Sequence, residues 1–513
     1  MSAAWPSVHV RVNDAATGQP TPVRIRFTNP AGEYFAPLGR LEKFATGPNE
    51  DVGGNLLLGS RRYAYIDGTC EIRLPPGPIL VEIHKGPEYQ PRVLQATLKP
   101  GQLALRTTIE RWVNLRQHGW YSGDLRSHFL TPHAALLEAA AEDLAVVNLL
   151  IISDAPGAAV RSEDGESFPV IANILAFSGQ RPALEMPGHM VVVNTYNHHV
   201  PLGNLALLNC HRIIYPLYAD RILGSPDWTL ADWCDQCHRK GGLVVGTEDL
   251  ARDRIRAEAG CGEMLAEVIL GKIDAVELPV LRSLREFAQA DWYSLLNIGC
   301  RLPLVGSSAK SSNAQVLGSW RSYVRLRPDQ GFTYRDWIEA IRAGRTFLTN
   351  GPMLSLSVNG QDPGAILDLP SLDQPVQIMA EVQSWVPVDT LELILNGEVY
   401  RQVPVSGSPA TARLELDTKL PAAGWLALRC SGPCVDPENK LSVCFGAHTS
   451  PIYVQVGGRP PPPGARSLAD ILDLLDQMLA RVGGEKQARE GGMRHLVEIL
   501  ERARRLLAER RQA

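Results

Sequence analysis

No apolar run in this sequence approaches the length of a membrane-spanning helix. No strongly basic block stands outside the last dozen residues, and the formal net charge is −4. That balance argues against nucleic acid as the main partner. The start, MSAAWPSVHVRVND, lacks the basic head and continuous apolar core of a signal peptide, so the expected location is cytoplasmic. A dense cysteine framework is missing too. The nine cysteines, Cys70, Cys210, Cys234, Cys237, Cys261, Cys300, Cys430, Cys434 and Cys444, are odd in number and scattered. That pattern predicts free thiols in a reducing compartment. What remains is ordinary globular composition, with 45% hydrophobic and 21% charged residues in a 513-residue chain. Such a length accommodates about three or four domains.

Hydrophobic periodicity divides the chain. Residues 1–115 hold short alternating stretches, VHVRVND, PVRIRFTN, CEIRLP, ILVEIHK and ALRTTIERWV, separated by turn formers such as Pro-Pro-Gly-Pro. Period-two strands at close spacing predict a β-sandwich. Over 116–350 the pattern changes. Helical stretches, HAALLEAAAEDLAV and TLADWCDQCHRK, alternate with compact apolar runs: VVNLLIIS, HMVVVNT, LALLNC, GGLVVGT, IDAVEL, LPLVGSS and SYVRL. Buried parallel strands covered by helices have that appearance, and the span is the size of a β/α barrel. A doubly wound open sheet is the alternative. Residues 351–457 return to alternating strands and predict a second sandwich. GGRPPPPG, which begins at Gly457, makes 458–466 a stiff Pro-rich linker. The tail, 467–513, carries two apolar stripes at helical spacing. Ser467 with Asp470 resembles a capping box at the first. A helical hairpin packed on its own chain is expected, with an oligomer contact through the tail as the alternative.

In a β/α barrel, chemistry gathers at the C-terminal ends of strands. The ends of the apolar runs supply Ser153 and Asp154, then Thr195, Asn197, His198 and His199, then Cys210 and His211. Thr247, Glu248 and Asp249 follow, with Glu277, and finally Ser307, Ser308 and Lys310. Asp124, Arg126, His128 and His133 precede the first barrel helix. Imidazoles and carboxylates suit zinc, manganese or iron, yet no compact signature such as a paired-histidine helix motif occurs. In TYNHHVP, alternation along a strand sends only one of the two histidines toward a given site. Cys234, Cys237 and His238 have the spacing of covalent haem attachment, but they fall inside an amphipathic helix. A helix surface without haem is the expected reading.

Several stretches, in order, carry a family resemblance. GWYSGDLRSH, AEDL, LGNLALLN, GGLVV, LGKIDAVEL, WYSLLNIGCRLPLVGSS, FTYRDWIEAIRAGRTFLTNGP and SPIYVQV together resemble the carbaryl-hydrolase-like (CehA/McbA) branch of the PHP, or polymerase-and-histidinol-phosphatase, superfamily. The resemblance covers most of the chain. It implies a distorted β/α barrel flanked by two β-sandwiches, the first of the carboxypeptidase-regulatory kind. It also implies divalent metals at the strand ends, activating water to hydrolyse esters, amides or phosphoesters.

The departures from the family pattern fall on the ligands. The first motif of the family is His-x-His, whereas here Arg126-Ser127-His128 stands. Asp154 is followed by Ala155 where a histidine is common. Asn204 also stands where the family often has histidine. After GGLVV comes Gly246-Thr247-Glu248. The late aspartate is absent, since no acid occurs from Arg301 to Arg327. Arginine has no lone pair for a metal. Arg126 is expected either to pair with Asp124 or Asp154, or to grip a carboxylate or phosphate in bidentate fashion.

Two readings follow. In one, the chain is a non-catalytic descendant used for binding a small anionic molecule or a protein partner. In the other, it is a hydrolase with a single zinc or manganese held by His128, His199 and Glu248, with Asp124, Arg126, His133, Asp154 and Lys310 as the surrounding catalytic candidates. In either case the old pocket is expected to persist as a polar cavity lined by Arg126, His128, His199 and Glu248. Neither reading calls for haem, nucleic acid or a membrane.

Overall fold

A computed structural model describes residues 5–47, 53–153, 159–161, 167–169, 171–200, 202–219, 228–247, 263–278, 284–328, 331–435, 443–484 and 494–512. The chain is mostly β, with a curled half-barrel sheet, several further sheets and few helices. No helix among the described residues is long and apolar enough to cross a membrane.

The N-terminal stretches form two sheets. One pairs Ser7–Asp14 with Thr69–Arg73 and Ala104–Ile109. The other is built on Val23–Thr28 and Gly77–His84. Alternation drives both. Val8, Val10 and Val12 from the first sheet share an apolar cluster with Val23, Ile25, Phe27, Val81 and Ile83 from the second. The alternate positions carry polar groups, several of which reach the next part of the chain. Arg24 Nε donates to Glu142 Oε1 at 2.7 Å, and Lys85 Nζ donates to the Ala140 carbonyl at 2.6 Å. At Gly86, with φ +63°, a Cβ would lie 2.2 Å from the Glu142 carbonyl, so only glycine allows this approach.

Each of the seven apolar runs of the middle region contains a strand. These are Val146–Ile151, His189–His199, Gly203–Leu208, Leu243–Gly246, Ala275–Glu277, Leu304–Val305 and Arg321–Arg325. The opening motif is a strand as well, Trp120–Ser127, parallel to Val146–Ile151 and antiparallel to Arg321–Arg325. The sheet is mixed rather than parallel throughout. His189–His199 runs parallel to Val146–Ile151, but Gly203–Leu208 folds straight back on it, antiparallel. Three residues between those strands are too few for a crossover helix, so a hairpin is the only connection available. His189–His199 also extends well past HMVVVNT, which puts Thr195, Asn197, His198 and His199 inside the strand rather than after it.

Helices cover the sheet on both sides. Tyr334–Arg342 buries Tyr334, Trp337, Ile338 and Ile341 against Val146, Val192, Ala206 and Val245. Pro132–Ala141, capped by Thr131 Oγ1 accepting from the Ala134 N–H, covers Val147, Leu149 and Val191. Leu230–Arg239 starts at a capping box formed by Thr229 and Asp232.

The sheet continues beyond Asn350. Phe347, Leu348 and Thr349 pair with Thr449, His448 and Ala447, and the strands Gly424–Val435, Thr390–Leu395 and Ile452–Val456 follow in the same hydrogen-bonded path. A four-stranded sheet built on Met353–Val358 and Val376–Ser384 packs over these strands through Leu354, Leu356, Ile378, Leu393 and Leu428.

The tail forms helices Ala465–Gly484 and Arg494–Gln512. The first begins before Ser467, so Ser467 is not its cap. Gly464 fills that place, accepting from the Leu468 N–H and donating to the Asn297 carbonyl at 2.8 Å. Leu468, Ile471, Leu475, Met478 and Val482, with Leu496, Leu500, Ala503 and Leu507, are buried in one cluster with Met264, Leu265 and Leu296 of the same chain.

One expectation is overturned among the thiols. Cys434 and Cys444 face each other across antiparallel strands and form a disulfide. Scattered spacing hid this pair, because ten residues apart in sequence is directly opposite in that hairpin register. Cys70, Cys210, Cys234, Cys237, Cys300 and Cys430 are free, and Cys261 lies outside the described residues. Alkylation without reduction followed by mass spectrometry is expected to find the Cys434–Cys444 bridge and carbamidomethyl groups on the six free thiols; alkylated Cys434 and Cys444 would contradict it.

Candidate functional site

The Trp120–Ser127 strand brings Asp124 and Arg126 to the middle of the sheet, and its register shifts between Asp124 and Ser127. Asp124 is fully buried. Its Oδ1 accepts from the backbone N–H groups of Arg126 and Ser308, each at 3.1 Å. Its Oδ2 accepts from the Gly318 N–H at 2.8 Å and from the Ser308 hydroxyl. Burial lifts its pKa to about 6, against the downward pull of those hydrogen bonds.

The Arg126 guanidinium turns to Glu277, at the end of the Ala275–Glu277 strand. Nε lies 3.0 Å from both carboxylate oxygens, and Nη2 is 2.5 Å from Oε1. Glu277 is fully buried. The guanidinium carbon sits 5.5 Å from the centre of the Tyr196 ring. A bidentate pair under an aromatic face is the strongest arrangement open to an arginine in an apolar setting. Expected partners for Arg126 were Asp124 or Asp154. Asp154 lies outside the described residues, and Asp124 meets Arg126 through the backbone N–H, its oxygens being filled by other donors.

His128 packs edge-on against the same Tyr196 ring at 5.3 Å, with Nδ1 3.3 Å from the Leu150 carbonyl. Burial, reinforced by the Arg126 charge, pushes its pKa down to about 3, so it is neutral at pH 7. Arg126 and His128 therefore meet at Tyr196, with Glu277 and Asp124 joined to them through Arg126, and the four form one cluster.

The other candidates go elsewhere. His199 is three positions beyond Tyr196 on an uninterrupted strand, so alternation points it to the opposite face. There Nε2 is 2.9 Å from the Trp228 carbonyl and the ring meets Trp233 edge-on. The expected convergence of His199 with His128 is thus not found. His198 stacks on Tyr218. His133 is exposed on its helix. Lys310 is fully buried but directs its ammonium away, to the Ser312 and Gln315 carbonyls at 3.0 and 2.8 Å and to Glu138 at 3.6 Å. Its backbone serves the cluster instead, accepting from the His128 N–H at 2.7 Å. Glu248 and Asp249 lie outside the described residues.

Cys234 and Cys237 are buried rather than on a helix surface. Cys237 Sγ lies 3.4 Å from Cys210 Sγ, and His238 pairs with Asp274 at 2.9 Å. Three residues in the cluster or in the strands behind it were not singled out beforehand. Gly318 has no reactive group to mark it. Tyr196 lies inside the strand. Tyr334 holds the sheet from its helix, donating to Asn148 Oδ1 at 2.6 Å and accepting from Asn194 Nδ2 at 3.1 Å.

No group of three or more His, Cys, Asp or Glu among the described residues is placed to hold a metal ion. Asp124 has both oxygens filled by protein donors, and Glu277 is held by a fixed cation.

Compared with protein-family models, curated proteins and solved structures, the chain has no match.

Two outcomes follow from this geometry. Replacing Arg126 with alanine leaves Glu277 charged and buried, which should cost about 3–5 kcal/mol of stability in urea unfolding. The double variant R126M/E277L should recover most of that loss; additive losses would show that the two residues act independently. Secondly, His128 and His448 are both buried and held neutral, each with a pKa near 3. Their unfolded forms take up protons below about 6.5 while the folded forms do not. Their contribution is complete above that pH and is lost progressively toward 3, at about 1.4 kcal/mol per pH unit for each residue. Urea midpoints measured from pH 7 to 5 should fall less steeply in H128Q and H448Q than in the unaltered protein.

Proposed function

We propose that this chain is a non-catalytic member of the carbaryl-hydrolase-like branch of the PHP superfamily, acting as a binding or scaffold protein. Its fold, on this reading, is the distorted β/α barrel of that superfamily between two β-sandwiches. The strands that fall on the resembling motifs, Trp120–Ser127, Gly203–Leu208, Leu243–Gly246 and Ala275–Glu277, lie in the one curled sheet and support this, as does the pairing of Trp120–Ser127 with both Val146–Ile151 and Arg321–Arg325.

The observation that carries the functional reading is the Arg126–Glu277 pair. A metallohydrolase keeps carboxylates and imidazoles available to a cation and leaves a coordination position for water. Here a guanidinium occupies the carboxylate at the end of the Ala275–Glu277 strand, and Asp124 is bound by Ser308, Gly318 and the Arg126 amide. A fixed positive charge supplies the compensation that a divalent ion would give. Binding an ion beside it would require breaking a buried pair and setting two cations against each other.

The second reading is a hydrolase of an ester, amide or phosphoester with one zinc or manganese. One observation favours it. His128 is neutral and turns Nδ1 to a backbone carbonyl, which is how metal-bound histidines are commonly oriented.

The test is elemental analysis after dialysis against zinc and manganese, with turnover of p-nitrophenyl acetate and bis(p-nitrophenyl) phosphate measured in the same samples. The expected result is no stoichiometric metal and no hydrolysis above the metal-salt background. The R126H variant should gain zinc. Metal-dependent turnover lost in H128A would establish the single-metal hydrolase instead. Two or more tightly bound ions per unaltered chain would overturn both readings.

A further inference from the structure

A cavity of about 750 Å³ lies where four parts of the chain meet, and it shares no residue with the Arg126 cluster. Ile273–Asp274 and Gly299–Leu302 form one side, at the starts of the strands Ala275–Glu277 and Leu304–Val305. Glu277 stands at the other end of its strand, so the cavity and the Arg126–Glu277 pair lie toward opposite ends of the sheet. The strands Gly424–Val435 and Ile452–Val456 contribute Trp425 and Tyr453. Pro460–Pro462 form another part of the wall, and Arg510 reaches in from the last helix. Cavities of this size at the junction of separate segments match those that hold small organic ligands.

The charge in this cavity is unbalanced. Its carboxylate, Asp274, is already saturated. Arg342 Nη1 donates to it at 2.6 Å, the Val244 N–H at 2.8 Å, and His238 Nε2 lies 2.9 Å away. Arg342 is correspondingly consumed, its second nitrogen donating to the Gly242 carbonyl at 2.8 Å. Arg301 and Arg510 are different. Arg301 is exposed, with its guanidinium over the Tyr453 ring at 5.6 Å. Arg510 is half-buried, donates weakly to the Ile298 carbonyl at 3.3 Å and hydrogen-bonds the Cys300 side chain. Neither has a carboxylate partner among the described residues. Each retains further N–H donors in the fixed fork that matches carboxylate and phosphate oxygens.

We propose that this cavity binds a small cyclic organic anion. Arg301 and Arg510 hold its carboxylate or phosphate, and its apolar ring lies against Tyr453 and Pro460–Pro462. Such a ligand touches the half-barrel, the C-terminal strands and the last helix together, so it stabilises their contact. A ligand that binds only the folded form raises the unfolding temperature in proportion to the logarithm of its concentration.

The experiment is calorimetric titration of the full chain with benzoate, phenyl phosphate and the neutral isostere benzamide, at matched ionic strength. Benzoate tests the carboxylate source of the charge and phenyl phosphate the phosphate source. At least one should bind tenfold or more tightly than benzamide and raise the melting temperature. In R301Q/R510Q that anion should weaken at least tenfold. If neither anion binds at about 10 mM, if benzamide binds as well as both, or if the double variant binds the preferred anion unchanged, the proposal is overturned. The comparison with benzamide uses the unaltered protein, so a misfolded variant does not affect it. No arm depends on metal content or hydrolysis, so this result is independent of the function assigned to the Arg126 cluster.

Discussion

A guanidinium locked to a carboxylate inside the sheet governs the arrangement around it. The Arg126–Glu277 pair joins the Trp120–Ser127 strand to the Ala275–Glu277 strand, residues far apart in sequence. Two buried charges are tolerable only when each is fully matched, so the surroundings are fixed in turn. Tyr196 presents its ring to Arg126 and to His128. His128 is held neutral by burial and by that same cation. Asp124, two residues from Arg126, takes its hydrogen bonds from Ser308 and Gly318 and so ties down the loop after Leu304–Val305.

Polar groups also fasten the N-terminal sheets to the rest of the chain. Arg24, Tyr65 and Lys85 reach the end of the Pro132–Ala141 helix and the turn after it, where Glu142 accepts from both Arg24 and Tyr65. Glu138 on that helix accepts from the Gly54 N–H and faces Lys310. The helix thus stands between the N-terminal region and the loop that holds Asp124.

Periodicity made much of this readable in the sequence. Seven apolar runs became strands, and the stripes of the tail became buried helix faces, because burial selects residue type directly. Strand direction was not readable, since an apolar run looks the same whichever way it runs. The hairpin between His199 and Gly203 was hidden as well, because the apolar runs stop at Thr195 and resume at Leu205, a gap that does not show its short turn. In the cluster, Arg126 stood out as an arginine between an acid and an imidazole, and Glu277 as an acid closing an apolar run. Their pairing did not, because it depends on which strand ends the curl of the sheet brings together. His199 illustrates the converse. Its chemistry is that of a ligand, but one step of alternation turns it away. Cys434 and Cys444 looked unrelated for the same reason: register is a property of the folded hairpin.

The hydrogen-bonded path that runs from Trp120 to Val456 bears on how such a chain changes over evolutionary time. Domains joined by a tether can be exchanged, duplicated or lost, because cutting the tether exposes little. Here a cut after Thr349 would strip Phe347, Leu348 and Thr349 of their ladder with Ala447, His448 and Thr449. It would leave a row of backbone amides and carbonyls without partners on each side. Separating the half-barrel from the strands after it therefore leaves two unpaired sheet edges rather than two closed units.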